Sequence, residues 1–245
     1  MRRVARILAV DCGAGHVACA LFAVGENGRL SLRRFAFETH GPDPEQAGAW
    51  AENTGQALRG LAREGKMHGA CALAVPGNLA LVKFIKAPAV ERKQLPQVLQ
   101  FEAAQSIPYL LSEVVWDWLE VAGDGADMEF MIAAAKTDAM EELCVAVGTA
   151  NLEPELALPG VLALWQAYQY NYCDVPEDTV VIDIGARSTH LLFAGAGRFM
   201  VRTLTLAGNT ITQAVADSLK LSFIEAEALK RQVMGGHTAL AQGDA

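Results

Sequence analysis

The 245-residue chain is 52% hydrophobic, so it is long and apolar enough to bury one large core or two smaller ones. Its net charge of −8 argues against nucleic acid and anionic membranes as direct partners. Asp11 interrupts the apolar stretch near the N-terminus, and no run reaches the roughly 18 apolar residues of a membrane span. We therefore expect a cytoplasmic protein that does not insert into a membrane.

The cysteines indicate a reducing compartment. They are widely scattered, most lie within apolar runs, and no two form a Cys-x-x-Cys pair. Reduced, buried thiols are therefore favoured over a disulfide framework or a zinc site. The five cysteines are Cys12, Cys19, Cys71, Cys144 and Cys173.

The first third of the chain predicts three strands followed by a helix. Residues 4–10 form a nearly continuous apolar run that is typical of a central strand. Residues 17–24 and 30–37 follow as a hairpin around the turn at 25–28. Residues 45–64 then carry apolar side chains at helical spacing.

The middle third alternates strands with helices. The predicted strands cover residues 71–75, 79–85, 114–121 and 129–135, and the predicted helices cover 91–107 and 138–150. The loop at 123–127 is acidic and rich in glycine, but it lacks the ligand spacing of an EF-hand. A plain hairpin turn is therefore favoured over a calcium site.

The last third repeats the strand pattern of the first. A helix over 160–173 precedes strands at 180–184, 189–193 and 199–206. A further helix begins near Ala207, and Ser222 with Glu225 forms a capping box that opens the last helix. Residues 235–245 are small and polar, which predicts a flexible tail.

Two segments about 170 residues apart share the pattern strand, Asp-x-Gly, turn, strand. Asp11 and Gly13 mark the first copy, and Asp183 and Gly185 mark the second. Glycine lets backbone N–H groups approach phosphate oxygens, and a carboxylate can hold the hydrated Mg²⁺ that bridges phosphates. One such turn is common in hairpins, but two matching copies predict a duplicated fold that clamps a triphosphate.

The paired hairpins resemble those of the actin-like ATPase superfamily. Further segments narrow the resemblance to the PilM family of type IV pilus assembly proteins. They are Ala74–Gly77, Gln100–Pro108, Ile132–Lys136, Leu152–Pro154, Gly208–Thr212 and Glu225–Lys230. The most specific of them is the Phe-Glu-Ala-x-x-x-Ile-Pro stretch that begins at Phe101, together with Glu113–Asp117.

The resemblance implies an α/β, actin-like (ribonuclease H-like, duplicated) fold with an inserted subdomain of the kind found in FtsA and PilM. It assigns residues 1–69 to the first actin-like domain, 70–150 to the inserted subdomain, 151–234 to an incomplete second domain and 235–245 to the tail. The glycine-rich adenosine motif of the family does not follow Lys230. The C-terminal part of the fold is therefore expected to be truncated.

The resemblance also implies a nucleotide site that takes ATP and Mg²⁺. The nucleotide-binding candidates are Asp11, Gly13, Ala14, Gly15, Asp183, Gly185, Ala186, Arg187, Ser188, Gly208, Glu227 and Lys230, with Asp11 and Asp183 as metal ligands. Ala14 and Ala18 stand where relatives usually carry a hydroxyl and a lysine, a loss that Arg187 could offset. No residue suited to positioning an attacking water stands out, so hydrolysis is expected to be slow or absent.

A groove beside the inserted subdomain of PilM-like proteins receives the N-terminal cytoplasmic peptide of PilN, a membrane-anchored partner. The partner-binding candidates here are Leu81, Lys83, Phe101, Ile107 and Pro108. The resemblance thus implies a cytoplasmic scaffold that is peripheral to the inner membrane through its partner and that can also self-associate. The alternatives are a sugar or acid kinase of the same superfamily, an FtsA-like protein and an actin-like component of type II secretion.

Overall fold

The computed structural model describes residues 6–39, 49–123, 127–172, 178–195 and 198–236, which form three β-sheets and six α-helices. The strands are β1 (Arg6–Cys12), β2 (His16–Val24), β3 (Leu30–Thr39), β4 (Gly69–Val75), β5 (Ala80–Pro88), β6 (Val114–Gly123), β7 (Asp127–Lys136), β8 (Leu152–Pro159), β9 (Thr179–Ile184), β10 (Thr189–Gly195) and β11 (Arg198–Leu204). The helices are α1 (Trp50–Gly65), α2 (Leu95–Ser106), α3 (Thr137–Gly148), α4 (Gly160–Asn171), α5 (Gly208–Leu219) and α6 (Phe223–Met234).

The first sheet has the strand order β3-β2-β1-β4-β8. β1 runs antiparallel to β2 and parallel to β4, which in turn runs parallel to β8. Alternate side chains of β1, Leu8 and Val10 among them, face one core, because successive residues of a strand point to opposite faces. Leu58 of α1 and Leu143 of α3 are fully buried against the same face.

The second sheet, of order β5-β7-β6, is built from the segment between β4 and α3. Both strand pairs are antiparallel, and α2 covers one face of the sheet. Leu99 of α2 and Phe130 of β7 are fully buried in this interface. We call this unit, residues 80–136, the insertion.

The third sheet, of order β11-β10-β9, repeats the hairpin pattern of the first. One face carries Leu192 and packs against Trp165 of α4. On the opposite face, Val180, Ile182 and Ile184 of β9 remain more than half exposed. The third sheet is therefore packed on one side only within the residues that the structure describes.

The strand pairing places two segments differently from the predicted domain boundaries. β4 and β8 were assigned to the inserted subdomain and to the second domain, yet both pair within the first sheet. Parallel neighbours must be joined by a long crossover, and here that crossover contains the insertion and α3. We therefore propose that the first domain combines residues 6–75 with residues 137–159.

Most predicted strands and helices are present, and β8 is the strand that the sequence patterns did not predict. The capping box of α6 is confirmed, because Ser222 and Glu225 each accept a hydrogen bond from the backbone N–H of the other. The tip of the acidic loop at 124–126 and most of the predicted tail lie outside the described residues. Within the described ranges, no helix combines the length and the hydropathy needed to cross a membrane.

Three of the cysteines are buried thiols, as predicted. Cys12, Cys19 and Cys71 lie in the core of the first sheet, whereas Cys144 on α3 is exposed. Burial raises the pKa of Cys19 and Cys71 to about 11, because a thiolate is poorly solvated in an apolar interior. These thiols are therefore unreactive, and Cys173 lies outside the described residues.

Candidate functional site

The two Asp-x-Gly turns meet in the folded chain. The first turn follows β1 and the second follows β9. A Cβ atom added to Gly15 would lie 2.9 Å from the Cβ atom of Ala186, closer than side chains normally approach. Gly15 therefore permits this contact. Residues 11–16 and 183–190 together form what we call the hairpin site.

Asp11 pairs with a histidine that the sequence patterns did not single out. Nε2 of His16 lies 3.0 Å from Oδ2 of Asp11. This hydrogen bond outweighs the effect of partial burial and raises the pKa of His16 above its ordinary value of 6.5. The negative charges of Asp11 and Asp183 raise this pKa further. The His16 ring therefore lies within hydrogen-bond distance of Asp11, one of the two predicted metal ligands.

The second turn is fixed to the start of α5. The N–H groups of Gly208 and Asn209 donate to the carbonyl oxygens of Gly185 and Ala186, at 2.9 and 2.8 Å. The N–H of Gly185 donates to the carbonyl oxygen of Ser188 and closes the turn itself. Two N–H groups of the helix N-terminus are therefore already satisfied by the turn. Gly208 therefore stabilises the second turn through a backbone hydrogen bond.

A second unpredicted histidine lies behind the same turn. His190 is 4% exposed, with Nε2 3.3 Å from Oγ of Ser188 and Nδ1 3.1 Å from Oγ1 of Thr203. Burial lowers the pKa of His190 below 6.5, although the nearby charge of Asp183 opposes the shift. The ring also lies against Gly77, which directly follows β4 and Pro76. His190 therefore links the first sheet to the second hairpin.

Glu227 and Lys230 form a closed network between α5 and α6. Nζ of Lys230 lies 2.6 Å from Oε2 of Glu227 and donates to Oγ1 of Thr212 and the carbonyl oxygen of Gly208. Burial would raise the pKa of Glu227, but hydrogen bonds from Lys230, Thr212 and Arg231 outweigh it and lower that pKa. All three Lys230 donors are used, so this pair holds the two helices together.

The remaining predicted nucleotide-binding residues differ in their hydrogen bonds and in their exposure to solvent. The carbonyl oxygen of Gly13 accepts a hydrogen bond from Nε1 of Trp50 at 3.2 Å. Asp183 is exposed, whereas Ala14 and Arg187 are half-buried. In the described part of the chain, no three His, Cys, Asp or Glu side chains are grouped for metal binding. A hydrated Mg²⁺ needs only one or two carboxylates, so Asp11 and Asp183 remain the candidate ligands.

Three of the five predicted partner-binding residues share one groove. Leu81, Lys83 and Pro108 line a cavity of about 660 Å³ along β5, together with residues 134–136 and 200–203. We call it the β5 groove. Phe101 is 65% exposed on the surface of α2, and Ile107 is 4% exposed in the core of the insertion. The structure therefore does not bring all five residues together.

A second groove lies along the other edge of the insertion, and the sequence patterns did not reveal it. Residues 115–119 of β6 and 156–159 of β8 bound a cavity of about 420 Å³, which we call the β6 groove. β6 is an outer strand of the insertion, and β8 is an outer strand of the first sheet. No strand of the described chain pairs with either outer edge, so backbone hydrogen-bonding groups border the groove.

We predict that Gly77→Ala destabilises the protein. The added Cβ atom would lie 1.8 Å from Nε2 of His190, whose ring is held by Ser188 and Thr203. Such overpacking typically costs about 1–3 kcal/mol in the free energy of unfolding, measured here by urea denaturation. Gly148→Ala is the control, because a Cβ atom there meets nothing within 4 Å. Equal losses in both variants would contradict the proposed contact.

We predict that Asp11→Asn lowers the pKa of His16. Without the carboxylate, burial dominates and should bring the pKa to 6.5 or below, as followed by NMR titration of the ring protons. In the unmodified protein the pair stabilises the fold below pH 6.5, and this stabilisation is lost as pH rises through the raised pKa. His190 serves as an internal control that should not shift. An unchanged His16 titration would show that the pairing with Asp11 is unimportant.

Comparison with known proteins identifies the family. The family model for type IV pilus assembly protein PilM matches residues 10–237. A solved structure of the PilM-PilN type IV pilus biogenesis complex matches with a TM-score of 0.80 and 25% identity, over 94% of this chain and 70% of that one.

Two other structures share the fold at lower identity. The ethanolamine utilization protein EutJ from Carboxydothermus hydrogenoformans matches at TM-score 0.52 and 16% identity, over 92% of this chain and 61% of that one. The cytoplasmic domain of EpsL, an inner membrane component of the type II secretion system of Vibrio cholerae, matches at TM-score 0.52 and 11% identity. The match covers 86% of this chain and 75% of that one. The fold is thus actin-like, and the chain belongs to the PilM family of type IV pilus assembly proteins.

Proposed function

We propose that the chain is a cytoplasmic scaffold of type IV pilus assembly that docks the N-terminal peptide of a PilN-like inner-membrane protein. Membership of the PilM family supports this, as does the structural match to a PilM-PilN complex over 94% of the chain. The scaffold would reach the inner membrane through this partner.

The observation that carries the proposal is the β6 groove. Val115, Leu119 and Leu156 line it with apolar side chains that are about half exposed. Covering such side chains stabilises a complex by about 25 cal/mol for each Å² of apolar surface removed from water. A peptide partner therefore gains most by lying along this groove.

The free strand edges suggest how the peptide binds. An extended peptide can hydrogen-bond to the outer edge of β6 or β8 and continue the sheet, a common mode of peptide recognition. Its alternate side chains would then contact the apolar residues of the groove. Asp117 supplies a negative charge in the lining, and no Lys or Arg in the described part of the chain lines this groove. These features favour an extended, apolar peptide without acidic residues.

We propose further that the hairpin site binds ATP with Mg²⁺. The backbone of both turns and the carboxylates of Asp11 and Asp183 fit a nucleotide with a hydrated cation, which would neutralise phosphate charge when bound. When protonated, His16 would supply a positive charge within the first hairpin, where Ala18 replaces the usual lysine. Glu227 and Lys230 are committed to the network between α5 and α6, so their contribution would be to shape the site.

The docking proposal predicts that Val115→Arg with Leu119→Arg weakens peptide binding. Both side chains are exposed, so the double variant should fold, while the arginines obstruct the β6 groove. Isothermal titration with a synthetic N-terminal peptide of the PilN-like protein should give micromolar affinity, reduced by about tenfold or more in the variant.

Lys83→Gln in the β5 groove is the matched control for this experiment and should leave the affinity unchanged. Loss of binding in this variant alone would move the docking site to the β5 groove. No measurable binding of the peptide to the unmodified chain would contradict the scaffold proposal itself.

The nucleotide proposal predicts that Asp183→Asn weakens binding of a fluorescent ATP analogue by about tenfold in the presence of Mg²⁺. Asp178→Asn removes the same charge just before β9, outside the hairpin site, and should have no effect. Titrations in EDTA should resemble those of Asp183→Asn. Binding that is unaffected by Asp183→Asn and by EDTA would contradict the assigned metal ligands.

A further inference from the structure

The β5 groove carries a positive charge that the proposed function does not use. Lys83, Lys136 and Arg202 all line it, and no Asp or Glu of the described residues belongs to the lining. The whole chain has a net charge of −8, so the groove is locally positive on a protein that is negatively charged overall. Among the described residues, the β6 groove on the other edge of the insertion is lined by Asp117 and by no cation. The two grooves therefore differ in the sign of their charge.

The three cations are available to a ligand. All are exposed, and none forms an ion pair with a carboxylate of the described chain. Nζ of Lys136 lies 4.7 Å from the centre of the Tyr109 ring, which holds the ammonium group at the groove by a cation–π interaction. The positive charge of the groove is therefore not neutralised from within the described residues.

The shape of the groove suits an extended chain. Residues 80–84 of β5 and residues 200–203 of β11 line it without interruption, and each strand lies at the outer edge of its sheet. In the described chain no strand pairs with these edges, so their backbone groups can pair with an added strand. Leu81, Phe84 and Met200 lie among the cations and offer apolar contacts.

We propose that the β5 groove binds an extended acidic segment of a protein partner other than the PilN-like peptide. The segment pairs with the free edge of β5, and its carboxylates face Lys83 and Lys136 of the insertion and Arg202 of β11. It thereby bridges the insertion and the third sheet. A small phosphate compound shares the charge but gains nothing from the strand edges and apolar side chains, so a peptide fits the groove better. The proposal rests on the proposed function in one respect, that the PilN-like peptide occupies the β6 groove and leaves the β5 groove free.

The test uses a fluorescein-labelled peptide of eight alternating glutamate and valine residues and follows its binding to the whole chain by fluorescence anisotropy. Binding should weaken by about fivefold or more in the double variant Lys83→Gln with Arg202→Gln, and also when NaCl rises from about 50 to about 300 mM. A peptide with glutamine in place of glutamate should bind at least as weakly as the probe does in high salt.

Lys86→Gln is the matched control, because Lys86 lies on β5 outside the groove lining, opposite Glu129 of β7. It should bind the probe as the unmodified chain does. An excess of the unlabelled N-terminal peptide of the PilN-like protein should not displace the probe, which separates this result from the test of PilN docking. The salt dependence needs no variant, so it remains decisive if the double variant does not fold.

Two outcomes would overturn the proposal. One is equal binding of the probe by the unmodified chain and the double variant, together with no effect of salt. The other is tighter binding of sodium tripolyphosphate than of the peptide, lost in the double variant. That result would make the groove a phosphate site.

Discussion

The contact between the two Asp-x-Gly turns fixes the relation between the sheets of this PilM-family protein. A side chain at position 15 would collide with Ala186, and a side chain at position 77 would collide with His190, so both positions require glycine. Side-chain atoms at either glycine would separate the hairpins, because packed interiors adjust little to added volume. The buried ring of His190 completes this junction, since it bonds to Ser188 on one side and to Thr203 on the other. The nucleotide proposal depends on this geometry, and Gly77 and Thr203 at the junction also line the β5 groove.

The insertion adds two grooves to the actin-like fold. It is a three-stranded sheet, and each of its outer strands borders a groove whose other wall includes the outer strand of another sheet. The β6 groove is mainly apolar and carries Asp117, whereas the β5 groove carries three cations. The two grooves thus differ in charge, although Ala80, Ala134 and Ala135 line both of them.

The sequence predicts those features that depend on local residue patterns. Asp-x-Gly after a β-branched run marks both hairpins, and Ser222 with Glu225 marks the start of α6. Features that depend on distant residues are not visible in this way. His16 and His190 acquire their roles from Asp11 and Thr203 across strand pairs, and neither spacing is a recognisable motif.

Two features of the structure depend on contacts between distant residues and could not be predicted from residue order: the strands that share the first sheet, and the burial of one partner-binding candidate. The parallel pairing of β4 with β8 joins segments that are far apart in sequence, so residue order alone assigns them to different units. Ile107 is a partner-binding candidate from the sequence, but its side chain packs into the core of the insertion. Which face such a side chain takes depends on the tertiary packing.

The pairing of β5 with β7 has a consequence for how the chain folds. β8 is synthesised after the insertion, so the outer edge of β4 stays unpaired while residues 80–136 leave the ribosome. The insertion pairs locally, and Ala80 lies opposite Ala135 in its sheet. Once it has folded, the two ends of a long loop are neighbours, and the entropic cost of bringing β8 to β4 falls accordingly. Folding of the insertion thus prepares the closure of the first sheet.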